Sequence, residues 1–162
     1  GLILFEKIVK NKKIKSVLVC SVSVGAAFSL LTTLFYDGNN ALLYKINHLV
    51  SGRVYIMNTY YKDQGLSLFP RTQAVYHGLI DNSYMNVTFY AGILVAVLFF
   101  VIIFKTMIRL YRMECYKELV MIGILALYGV LEQFVLNGFM NIFLLLCGML
   151  LYPGIVEEKH EK

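Results

Sequence analysis

Arg53, His77, Asp81 and Glu132 each place a charge or a titratable ring beside apolar sequence. These residue types suit anion recognition and proton transfer. A guanidinium presents a planar fork of donors that fits phosphate or diphosphate, and a carboxylate or imidazole can accept or deliver a proton.

Each of the four also has a plainer explanation. Arg53 follows Ser51-Gly52, a small pair that would let a ligand approach the backbone; the alternative is an interfacial Arg whose stem lies along lipid while its head reaches water. Arg71, in Phe69-Pro70-Arg71-Thr72, carries the same two readings with less local support. Asp81 belongs to the polar block His77-Gly78-Leu79-Ile80-Asp81-Asn82-Ser83-Tyr84, which directly precedes a long apolar run. It could act as a base, or it could cap the following helix by accepting the N–H of Ser83 or Tyr84. His77 is the runner-up base, or an ordinary polar loop residue. Asn82 and Tyr84 can hold the loop.

Glu132 lies in an apolar segment, sharing a helical face with Leu125, Tyr128 and Gly129. An ionised side chain facing lipid at a bilayer centre costs ~2.5 kcal/mol or more, so Glu132 should face the protein interior or a wet cavity. A functional role is favoured; a structural hydrogen bond to Asn137 or Asn141 is the alternative.

The elements that must position these groups are membrane helices. Hydrophobic residues make up 59% of the chain and the mean hydropathy is +0.67, above the soluble norm of roughly half apolar. About 20 apolar residues of helix cross a ~30 Å hydrocarbon layer, and four spans are expected, at about 16–35, 86–108, 119–136 and 138–152. The fourth is short and ends at Pro153-Gly154. Ser21, Gly25 and Ser29 in the first span, and Gly92 and Ala96 in the second, recur every four residues, a spacing that lets helix backbones approach closely in lipid.

Orientation follows from Lys and Arg in the loops. Lys7, Lys10, Lys12, Lys13 and Lys15 flank the first span, Lys105, Arg109, Arg112 and Lys117 follow the second, and Lys159 and Lys162 lie in the tail. Both termini then face the cytoplasm, the loop 36–85 faces outside, and the net charge of +5 reflects topology rather than nucleic-acid binding. Within that loop Leu42, Leu43, Ile46, Leu49, Val50 and Met57 keep a roughly helical spacing and predict one amphipathic helix in the outer interface. Tyr55, Tyr60, Tyr61, Tyr76, Tyr84 and Tyr90 suit the same zone, as belt anchors or as faces that stack on sugar rings.

Cys20, Cys115 and Cys147 make no disulfide framework or metal motif. The chain reads as a single membrane unit, 1–162. Its opening Leu2-Ile3-Leu4-Phe5 looks like the tail of an earlier span, so it is expected to be the C-terminal part of a longer protein.

Four short motifs, in order, resemble the C-terminal region of Wzy-type O-antigen and capsular polysaccharide polymerases. They are Leu49-Val50-Ser51-Gly52-Arg53, Leu66-Ser67-Leu68-Phe69, Leu79-Ile80-Asp81-Asn82-Ser83-Tyr84 before a Gly-containing span, and Gly129-Val130-Leu131-Glu132. The resemblance covers roughly 42–152, and departs where Pro70 stands after the Leu-Phe pair. It implies part of a GT-C-like, all-helical transferase that polymerises polyprenyl-diphosphate-linked oligosaccharide repeats on the outer face of the bacterial plasma membrane.

In that reading Arg53, with Arg71 and the small Ser51 beside it, holds the diphosphate. Asp81, Glu132 or His77 activates the acceptor hydroxyl, and Asn82 and Tyr84 contact sugar. No cofactor or metal is expected. The expected partners are the lipid-linked oligosaccharide and membrane lipids, with chain-length regulator or flippase proteins as further candidates. An O-antigen ligase-like transferase, a non-catalytic transporter or accessory protein for lipid-linked sugars, and a fragment inactive alone are the competing readings.

Overall fold

A computed structural model describes residues 12–71, 80–132 and 148. Its helices are α1 (Lys12–Phe35), α2 (Ala41–Leu49), α3 (Arg53–Gln64), α4 (Ser83–Arg112) and α5 (Tyr116–Tyr128), with no strand among the described residues. Two segments, Ile14–Phe35 and Ser83–Arg112, are long and apolar enough to cross a membrane. The expected fourth span, 138–152, lies outside the described residues, except for Gly148.

Small residues let α1 pack closely. Ser21, Gly25 and Ser29 form its buried face, while Val17, Val24 and Leu31 are exposed. A Cβ on Gly25 would come within 2.6 Å of the Tyr84 hydroxyl oxygen, and one on Gly123 within 2.6 Å of Leu18 Cδ2, so α4 and α5 both approach α1 at a glycine. The hydroxyls of Ser21, Thr32 and Thr33 donate to the carbonyls of Leu18, Phe28 and Ser29 one turn back. Their polarity is thereby satisfied within the helix.

α4 is not the straight span expected over 86–108. Gly92 has φ 83° and ψ 162°, outside helical geometry, and the helix folds back there. Tyr84 and Phe100, sixteen residues apart, would be ~24 Å apart along a straight helix, yet their ring centroids are 5.1 Å apart. Each limb of the V has its free ends satisfied by the segment 66–71. Ile93 N–H donates to Ser67 O at 2.8 Å, Leu94 N–H to Leu68 O at 3.2 Å, and Arg71 N–H to Tyr90 O at 3.3 Å. A Cβ on Gly92 would lie 2.6 Å from the backbone carbon of Phe69. Gly92 is therefore a break held by a crossing strand of chain, not the helix-packing partner of Ala96 that the four-residue spacing predicted. The limb beyond it, 93–112, is still long enough at ~30 Å to cross a bilayer.

The single amphipathic helix expected from Leu42 to Met57 is two helices. Positive φ at Ser51 (55°) and Gly52 (82°) ends α2 and turns the chain into α3. α2 buries none of its residues and leaves Leu42 and Leu49 largely exposed. α3 buries Val54, Met57 and Tyr60 against Ile80, Met85 and Phe89. Two apolar layers result. One joins α1, the second limb of α4 and α5 through Val22, Ala96, Met107, Leu119 and Ile122; the other joins α3 to the first limb of α4. That first limb, buried from Ser83 to Phe89, is the wall common to both.

Candidate functional site

Arg53, Asp81 and Glu132 meet in one ion-pair cluster. Arg53 donates from Nε to Asp81 Oδ2 at 3.2 Å and from Nη2 to Glu132 Oε1 at 3.0 Å. The side chains are 21%, 35% and 41% exposed respectively, so the cluster is open to solvent on one side.

Each member is positioned by the end of an element. Arg53 opens α3, whose start is steadied by Asn47: its Oδ1 accepts the Tyr55 N–H at 2.9 Å. Asp81 stands directly before the cap of α4. The cap is Asn82, whose Oδ1 accepts the Met85 N–H at 2.9 Å; the expectation that Asp81 itself caps α4 is corrected, because its carboxylate is turned to Arg53 instead. Glu132 was expected inside a helix running to residue 136, but α5 ends at Tyr128 and a turn through Gly129–Leu131 carries the chain to it. Asn137 and Asn141, its alternative partners, lie outside the described residues.

Asn82 fastens this arrangement. Its Nδ2 donates to Ser29 Oγ and Val130 O, both at 2.8 Å, and the residue is 1% exposed. Ser83 adds its N–H to Gly129 O and its hydroxyl to Glu132 O. Thus α1, the start of α4 and the turn after α5 are tied together beneath the charges. Of the two roles expected for Asn82, holding the loop is the one this geometry suits.

Tyr84 is likewise internal. It is 5% exposed and its hydroxyl donates to Ala126 O at 2.8 Å, so it has no face for a sugar.

Arg71 does not join Arg53. Its guanidinium donates to Gln64 Oε1, Gln64 O and Gly65 O at 3.2, 2.7 and 3.2 Å, capping the far end of α3, ~16 Å from the end that carries Arg53. Ser51 is exposed in the α2–α3 turn and lines a cleft with Tyr44, Asn47 and His48. His77 lies outside the described residues.

Sequence reasoning missed Ser29 as an acceptor for Asn82, since a serine in a small-residue stripe signals helix contact and nothing more. It also missed the role of Tyr60, which packs on Phe89 with ring centroids 4.5 Å apart. Burial, helped by Tyr90 and opposed by Arg71, raises the Tyr60 phenol above its ordinary pKa.

Beside the site an apolar groove of about 230 Å³ runs between the limbs of α4 and α1, lined by Ala26, Leu30, Leu66, Met85, Ile93 and Val97. No group of three or more His, Cys, Asp or Glu that could hold a metal ion occurs among the described residues.

Compared with protein-family models, curated proteins and solved structures, the chain matches none.

Proposed function

We propose that the chain belongs to a membrane glycosyltransferase that joins polyprenyl-diphosphate-linked oligosaccharide repeats into a bacterial surface polysaccharide. The observation that carries this reading is the meeting of Arg53, Asp81 and Glu132, drawn from three of the four polymerase-like motifs, in one partly exposed cluster. The remaining motif, Leu66 to Phe69, is the segment latched across the break in α4. A transporter reading would suit Glu132 and Arg53 on opposite membrane faces, and their 3.0 Å separation speaks for one site instead.

In this reading the basic ends of α1 and α4 face the cytoplasm and the cluster faces outside, in a multi-pass plasma-membrane protein. The acceptor sugar's hydroxyl oxygen bonds to the anomeric carbon of the donor as the bond to the diphosphate oxygen breaks. The electron pair leaves with the diphosphate, and the hydroxyl proton passes to a carboxylate. Two of the five guanidinium N–H groups of Arg53 are engaged by Asp81 and Glu132, which leaves donors for the leaving group. One cation between two anions repels a diphosphate, so substrate must take Arg53 from one partner. Glu132 is the more exposed carboxylate, and releasing it provides the base.

Reconstitution of the chain with purified lipid-linked repeats tests the reading by the ladder of products it should yield. Unchanged polymer length and yield from Arg53→Ala, with the protein reaching the membrane normally, would rule out the leaving-group role. A second reading, in which the cluster only clamps three segments together, is favoured by Arg53 being bonded to both carboxylates at once. Under it Glu132→Gln, which keeps the hydrogen bond, leaves transfer intact.

A further inference from the structure

The geometry points to a binding subsite for a neutral saccharide in the cleft formed where the end of α1 meets α2 and α3. The cleft, about 460 Å³, is lined by Tyr36, Asp37, Tyr44, Tyr55, Asn58 and Asp63. That volume falls in the ~300–1,000 Å³ range of small-molecule sites.

Its chemistry selects the ligand. Tyr44 and Tyr55 are each 57% exposed, although a tyrosine can shield its ring by packing inward as Tyr60 does. The Tyr55 and Tyr36 rings make a T-shaped contact at 6.2 Å between centroids, which helps fix the orientation of Tyr55. Exposed aromatic rings suit the C–H faces of a pyranose, and the phenol hydroxyls add donors and acceptors at the rim. Asp37 and Asp63 supply acceptors for sugar hydroxyls, and Asp37 Oδ1 is itself oriented by the Asn39 N–H at 2.9 Å. Asn58 is held by its own bond to Thr33 O at 2.8 Å.

Two carboxylates against the one ammonium of Lys62 disfavour a phosphate or an acidic sugar at this place. On α3, Tyr55, Thr59 and Lys62 lie on the face turned away from Arg53, about 120–180° around the helix from it. The cleft therefore holds saccharide away from the bond being made, as a distal contact to a glycan chain. That purpose rests on the transferase reading, whereas binding itself does not.

The test uses the full chain in detergent with maltotetraose and chitotetraose as probes and saturation-transfer NMR as readout, with no lipid-linked substrate present. Transfer to at least one tetrasaccharide is expected, and Tyr44→Ala and Tyr55→Ala should each weaken it about fivefold, the loss of one ring contact. Tyr55→Phe keeps the ring and should stay close to wild type. Arg53→Ala should leave transfer unchanged, so a failed transferase reading and a failed saccharide site give different results. Absence of transfer to both probes, or equal transfer in wild type and the Tyr44→Ala/Tyr55→Ala double variant, overturns the proposal.

Discussion

Arg53 Nη2 lies 3.0 Å from Glu132 Oε1 although the two residues are 79 positions apart. Both side chains are partly exposed, so the pair is screened and contributes modestly, about 0.2–1 kcal/mol. A double-mutant cycle between Arg53→Ala and Glu132→Ala, read by thermal unfolding in detergent, should return a coupling in that range. Under the proposed transferase function, activity should respond far more. Glu132→Gln is expected to lower turnover at least tenfold while binding of the lipid diphosphate is kept or strengthened, because a carboxylate competing for Arg53 has been neutralised. Equal loss of binding and turnover would instead assign Glu132 to positioning.

Gly92 should tolerate no side chain. Gly92→Ala meets both a φ of 83° and a backbone carbon at 2.6 Å, so relief requires the segment 66–71 to leave the break. A loss of ~2 kcal/mol or more is expected, together with faster proteolysis near Leu68 and Phe69. A melting temperature within a degree of wild type would contradict the latch.

Arg71→Ala removes three donors from the end of α3. Hydrogen exchange should quicken at Tyr61 to Gly65 and the stability cost should be about 1 kcal/mol. The diphosphate binding proposed for Arg53 should be unaffected, since its cluster stands at the other end of the helix.

Asn82→Ala leaves Ser29 Oγ and Val130 O without their donor and strips the cap from α4, a loss of roughly 2–4 kcal/mol. Asn82→Asp keeps the acceptor for Met85 but buries a carboxylate against a carbonyl oxygen. Its folded pKa is raised above the unfolded value, so the folded state binds the extra proton. The variant should therefore gain stability relative to wild type as pH falls from about 7 toward 5. A flat difference between the two pH profiles would show that water reaches the site.

The chain contains no Trp, so Leu49→Trp on the exposed face of α2 is a single-site reporter. Leu49 is 81% exposed and buries nothing in the protein. If α2 lies in a membrane interface, emission in vesicles should be blue-shifted and quenched by brominated lipid. Water-like emission would place α2 in solvent.

The helical class and the long apolar segments were legible because composition and run length report them directly. The residues of the cluster were also legible, Glu132 as a charge in an apolar segment, Arg53 as a charge after the small pair Ser51-Gly52, and Asp81 as part of the polar block before a long apolar run. What could not be read was the fold-back at Gly92: glycine four residues before Ala96 has the same spacing whether it packs a helix or breaks one. The partner that decides, the backbone of Leu68 and Phe69, is remote in sequence. Asp81 and Asn82 are similarly ambiguous, since either side chain can cap a helix. The neighbour with the free charge, Arg53, drew Asp81 away and left the cap to Asn82. Arg71 looked equivalent to Arg53 until its three carbonyl partners were in view.

The break also bears on membrane thickness. Thirty residues of unbroken helix would measure ~45 Å, some 15 Å more than an average hydrocarbon layer. Such a helix would have to tilt steeply or distort the surrounding lipid. Folding at Gly92 stores the first nine residues inside the protein and leaves the 20 of the second limb, so α4 crossing a bilayer by that limb would meet no hydrophobic mismatch even without tilt. Ser29, which meets Asn82, is six residues or ~9 Å short of the end of α1 at Phe35. Under the proposed membrane topology, with Phe35 at the outer surface, the stored limb would hold the charged cluster below that level, where the proposed lipid-linked headgroup could reach Arg53 without being lifted out of the membrane.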